Sequence, residues 1–91
     1  NAAFVRDCLR KLGPRIRSCH AKDVRLDTRL TVHLDEVRLG MGALDYRAFL
    51  TEVAQLGDMP VMLEHLASAE EYSLAADHLR FVAREANIDL F

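Results

Sequence analysis

Two short stretches with strand character, residues 15–24 and 61–66, are separated by a helix-forming segment. Strands joined through a helix pair in parallel by a right-handed crossover. Parallel sheets need cover on both faces and neighbours at both edges, so two such strands are not a closed architecture. No other segment of the 91 residues offers a further parallel strand. A chain of this length makes one domain at most, and this shortage of strands limits what that domain can be.

The remaining segments read as helices and one irregular excursion. Val5, Cys8, Leu9 and Leu12 recur at helical spacing, and Gly13-Pro14 ends that helix. In residues 15–24, Ile16, Ser18, His20 and Lys22 alternate with Arg17, Cys19, Ala21 and Asp23, the period of a strand. Neither face is strongly apolar, as for a strand covered by helices on one side and lining a chemical site on the other. Residues 30–34 and 37–39 form either a short hairpin about Asp35-Glu36 or an ordered excursion. Asp45 N-caps a helix with Tyr46, Phe49, Leu50 and Val53 on one face, stopped by Gly57. Pro60 precedes the apolar run Val61-Met62-Leu63, and Ser68-Ala69-Glu70-Glu71 is a capping box that opens the last helix.

Composition excludes several classes of function. An apolar share of 51% with 29% charged residues is that of a globular chain and not of a disordered one. No apolar run is long enough to span a membrane, and the charged first helix is no signal peptide. Twelve Lys and Arg against 14 Asp and Glu leave a net charge of −2, with no basic field for nucleic acid. Two cysteines make no disulfide framework, which points to a reduced, cytoplasmic setting.

His20 and Glu64 each fall at the C-terminal end of a predicted parallel strand, where sites in α/β folds gather. Imidazole nitrogen and carboxylate oxygen are donors for a divalent metal, and a carboxylate following Val61-Met62-Leu63 is costly to bury unpaired. Lys22 and Arg25 follow His20 closely and are placed to hold a phosphate or sugar oxygens. Asp23 is expected to pair with one of them or to orient His20 from behind. By strand alternation His65 faces away from Glu64 and is expected in the core. His33 and His78 are expected at the surface or in loops, and Cys19 as a small buried hydrophobe.

Three blocks in this order carry a family resemblance: Ser18-Cys19-His20-Ala21-Lys22-Asp23, Leu39-Gly40-Met41-Gly42-Ala43-Leu44-Asp45-Tyr46, and Pro60-Val61-Met62-Leu63-Glu64-His65-Leu66. Together they resemble the C-terminal part of the xylose-isomerase-like TIM barrels, the superfamily of sugar phosphate isomerases and epimerases. The resemblance implies an α/β fold class. The chain would be the C-terminal fragment of a (β/α)₈ barrel, two parallel strands and three helices plus a hairpin-like excursion. Such a barrel takes about 250 residues. It also implies that His20 and Glu64 are ligands of a divalent metal (Mn, Mg, Co or Zn), with Glu64 in addition a catalytic base and Arg25 a contact to substrate oxygens. Met41 departs from the acidic residue often found between the two glycines.

The expected function is metal-dependent isomerisation or epimerisation of a sugar or sugar phosphate, by proton movement next to a carbonyl. The 91 residues alone are expected to be inactive, since two of four ligands are missing. They are expected to self-associate through open strand edges or by swapping. The competing readings are phosphodiester hydrolysis of the endonuclease IV kind, which the net charge disfavours, and a non-catalytic binding or assembly module.

Overall fold

The computed structural model describes residues 1–29 and 33–90. Helix α1 (Ala2–Leu12) ends in a 3-10 turn at Gly13–Arg15, where Pro14 supplies the preset φ of a first helical position. Strand β1 (Cys19–Ala21) is followed after one residue by β2 (Asp23–Asp27), then β3 (His33–Val37), helix α2 (Tyr46–Ala54), strand β4 (Val61–Leu63) and helix α3 (Ala69–Glu85). Both predicted N-caps form. Asp45 accepts from the Ala48 N–H, and Ser68 from that of Glu71.

β1 and β4 pair in parallel, with His20 opposite Met62 and Ala21 opposite Leu63. β2 and β3 pair antiparallel, with Leu26 opposite Leu34. The barrel fragment is therefore corrected to a small α/β domain whose strands form two separate two-stranded pieces. The reason lies at Lys22. A barrel strand runs straight on into its crossover, whereas here the chain turns one residue past β1 into a five-residue antiparallel ribbon that pairs with itself. Asp35 and Glu36 lie inside β3 and not at a turn; residues 30–32 of the expected excursion lie outside the described residues.

The helices cover one face of the parallel pair. Ala21, Leu39, Tyr46, Leu50, Ala75, Leu79 and Ala83 form one buried cluster, and Val5, Leu9, Cys19 and Val53 a second. α1 packs on α2 and α2 on α3. Glu52, buried in α2, accepts from Nη2 and Nε of Arg10 of α1 at 2.9 and 3.2 Å. Among the described residues no helix is long and apolar enough to cross a membrane.

Asp23 is the one fully buried carboxylate. Its two oxygens accept from the backbone N–H groups of Val24, Gly40, Gly42 and Leu44, all at 2.9–3.1 Å. That contact accounts for the two glycines. Gly40 sits at φ +89°, which favours glycine, and a Cβ on Gly42 would overlap the Asp23 carboxylate. Nearby, the buried Tyr46 hydroxyl donates to the Lys22 carbonyl at 2.7 Å. Burial, reinforced by the Asp23 charge, holds that phenol well above its usual pKa.

Replacing Asp23 by Ala strands several N–H groups in a site closed to water. The expected loss is about 3 kcal/mol or more, since charged hydrogen bonds contribute roughly 1.5–3 kcal/mol each. Urea unfolding followed by circular dichroism measures it, and a loss below about 1 kcal/mol would contradict this role for the carboxylate.

Candidate functional site

The helix-free face of the β1–β4 pair carries the candidate chemistry. Along β1 exposure alternates, with Cys19 and Ala21 buried under the helices and His20 open to solvent. Met62 lies opposite His20 in register, and Glu64 follows it two residues on, so all three project from the same face. Glu64 is locked to β1 by its own N–H, which donates to the Ala21 carbonyl at 3.2 Å. The result is direct contact between His20 Nδ1 and Glu64 Oε1. Of the residues proposed from sequence, these two are placed in contact with each other.

A second pair stands beside the first. Glu36 on β3 receives His65 Nδ1 at 2.7 Å and Lys22 Nζ at 3.0 Å. His65 is not in the core: β4 ends at Leu63, His65 has φ +56°, and the strand alternation that would have buried it does not reach it. Arg25, Glu36, Arg38, Met41, His65 and Glu71 line a cavity of about 360 Å³. Arg25 thus shares a cavity with the second pair, and Lys22 joins it through an ion pair. Asp23 takes no part, because its carboxylate is spent on the backbone of residues 24–44. Sequence reasoning missed Glu36 and His65. Glu36 was legible only as part of an acidic dipeptide, and its partner lies 29 residues away.

Each carboxylate is tuned mainly by its imidazole. The hydrogen bond from His20 holds Glu64 below the ordinary carboxylate pKa, with further help from the charges of His65 and Lys22. The hydrogen bonds from His65 and then Lys22 lower Glu36 in the same way. Burial raises the Cys19 thiol, which leaves it an inert core residue; both cysteines are free. An ionised Glu64 can accept from Nδ1–H and leave Nε2 of His20 available as a proton acceptor.

His20 and Glu64 supply the nitrogen and oxygen donors a divalent metal takes, yet a resident ion such as Zn²⁺ takes about four ligands. Among the described residues no group of three or more His, Cys, Asp or Glu is arranged to hold one. The donor set of this chain does not by itself fit a resident Mn, Mg, Co or Zn.

No known protein family, no curated protein and no solved structure matches the chain.

The depressed carboxylates set an acid limit. A group with a lower pKa folded than unfolded stabilises above its unfolded value and loses that contribution as the pH falls through the folded one. Glu64 and Glu36 should therefore withdraw support only below the ordinary carboxylate range of about pH 4. In a His20→Ala variant, ¹³C NMR should show Glu64 titrating closer to that range while Glu36 stays low. An unmoved Glu64 would show that His20 is not its principal partner.

Proposed function

We propose that His20 and Glu64 form an acid–base couple that moves a proton at the carbon next to the carbonyl of a sugar or sugar phosphate, isomerising or epimerising it. The observation that carries this reading is the contact between the imidazole and the carboxylate on the face of the β1–β4 pair that the helices leave uncovered. The substrate class rests on the resemblance of the three sequence blocks, not on the geometry. Two unpaired cysteines favour the cytoplasm as its setting.

In the proposed reaction Glu64 holds Nδ1–H of His20, and Nε2 takes the proton from the carbon beside the carbonyl. The carboxylate stabilises the imidazolium that results. Lys22 and Arg25 face the negative charge that develops on the substrate oxygens. Returning the proton to the former carbonyl carbon, while the hydroxyl proton passes from the neighbouring substrate oxygen to the former carbonyl oxygen, isomerises the sugar. Delivering one to the opposite side of the same carbon epimerises it and needs a second acid, for which His65 is the available imidazole. A divalent metal, if one binds with water and substrate completing its ligands, would polarise the carbonyl; no step above requires it.

The test is exchange of substrate C–H with solvent deuterium, followed by ¹H NMR over a panel of aldoses, ketoses and their phosphates. Exchange should occur with at least one of them, and His20→Ala and Glu64→Gln should each slow it by about 10²-fold or more, the usual weight of a general base. It should survive EDTA. No exchange with any member, or unchanged rates in both variants, would reject the couple. Loss in EDTA restored by Mn²⁺, Mg²⁺, Co²⁺ or Zn²⁺ would reassign both residues to metal binding.

A further inference from the structure

On the far side of β4 the chain leaves an unfinished sheet. The Pro60 carbonyl accepts from the Cys19 N–H, and the Glu64 N–H donates to the Ala21 carbonyl. In a parallel ladder alternate residues turn both backbone groups to the same neighbour, so Met62 faces β1 while Val61 and Leu63 present theirs to the open edge. Beside that edge lies a groove of about 520 Å³, floored by Val61, Leu63, Leu79 and Ile88 and rimmed by Arg80 and Arg84 of α3, with Asp89 the one acidic residue in its lining. A second groove, of about 370 Å³, continues it past Val61 and shares Ile88 and Leu90. Among the described residues Arg84 has no carboxylate partner, and Arg80 has only the exposed Asp77.

The opposite kind of surface is found on β3. Among the described residues this strand pairs only with β2, and no helix packs substantially against it. It carries Asp35 and Glu36 with no Lys or Arg, and its Leu34 is 64% exposed beside an equally uncovered Leu26. An apolar-floored groove with a basic rim and an acidic strand with an uncovered leucine are complementary in charge, polarity and backbone pairing. Both are present on one chain.

We propose that the groove at the β4 edge receives β3 of a second copy of this chain, adding it as a further strand beneath α3. A helix-covered strand would bring its own helix into the space α3 occupies; the bare hairpin does not. The contact joins unlike surfaces, so two copies can exchange it reciprocally or more can close a ring. It does not rest on the proposed chemistry, although Glu36 of β3 also holds His65.

The experiment is light scattering on size-exclusion fractions over a range of concentrations. The wild-type chain should run above its 10.3 kDa mass, as a dimer or larger. Arg84→Glu breaks the groove and Leu34→Lys breaks the strand. Both positions are exposed, so circular dichroism should be unchanged, and each variant alone should be monomeric. Mixing the two should restore association, because the intact strand of one fits the intact groove of the other. A wild-type monomer throughout, association that persists in both single variants, or two monomeric variants that fail to associate on mixing would each overturn the proposal.

Discussion

The buried carboxylate of Asp23 organises this molecule. It stands at the junction where the parallel pair gives way to the hairpin, and it gathers four backbone N–H groups from the start of β2 and from the loop that leads into α2. An ionised group with no exposed surface is tolerated only when its hydrogen-bonding capacity is met, and here both oxygens accept twice. The loop is thereby drawn against β2, which places Leu39 in the core and sets Asp45 at the cap of α2. α2 in turn presents Tyr46 to the Lys22 carbonyl. The residue that joins β1 to β2 is thus held from both sides, and the functional face depends on where it is held.

Given that frame, the division of the sheet into two faces follows from strand alternation. Cys19, Ala21, Val61 and Leu63 point into the helices, and His20, Met62 and Glu64 point away. In-register pairing brings His20 and Glu64 together although 44 residues separate them. The chain places an imidazole and a carboxylate where backbone hydrogen bonds, rather than flexible loops, fix their separation. That is the condition under which a pair of side chains can act as one acid–base unit.

Alternation was readable along residues 15–24, and the caps at Asp45 and Ser68 marked their helices correctly. His20 and Glu64 could be singled out because each falls near the end of a strand expected from sequence, His20 lying within β1 and Glu64 just past β4. Other features depended on pairing partners that no local pattern encodes. Asp23 has the alternation phase of Cys19 and Ala21, and nothing in its neighbours announces that Gly40, Gly42 and Leu44 will converge on it. His65 was assigned by extending the period of two beyond the point where β4 stops, and its positive φ breaks that period. Glu36 looked like turn material because Asp and Glu neighbours are common in turns, whereas its register against Val24 makes it a strand residue. Barrel organisation is what the resemblance of the three sequence blocks implies, and the structure does not have it. Element order does not say whether an excursion after β1 rejoins one sheet or pairs with itself.

The two imidazole–carboxylate pairs are not equivalent, and the difference bears on which of them can do chemistry. His20 and Glu64 sit on the β1–β4 pair, which is also two-stranded but is packed under the helices on its other face. Glu36 reaches His65 and Lys22 only from a two-stranded ribbon, a structure that is marginal by itself. Exposed ion pairs such as Lys22–Glu36 are weak and screened by solvent, so they bias the ribbon's position without locking it. The first pair is therefore preorganised and the second adjustable. A substrate entering the cavity beside Arg25 and Arg38 would compete for Glu36 and His65 while leaving the His20–Glu64 contact intact. In the proposed reaction this asymmetry gives the central proton transfer to His20 and Glu64, and only an auxiliary proton to His65.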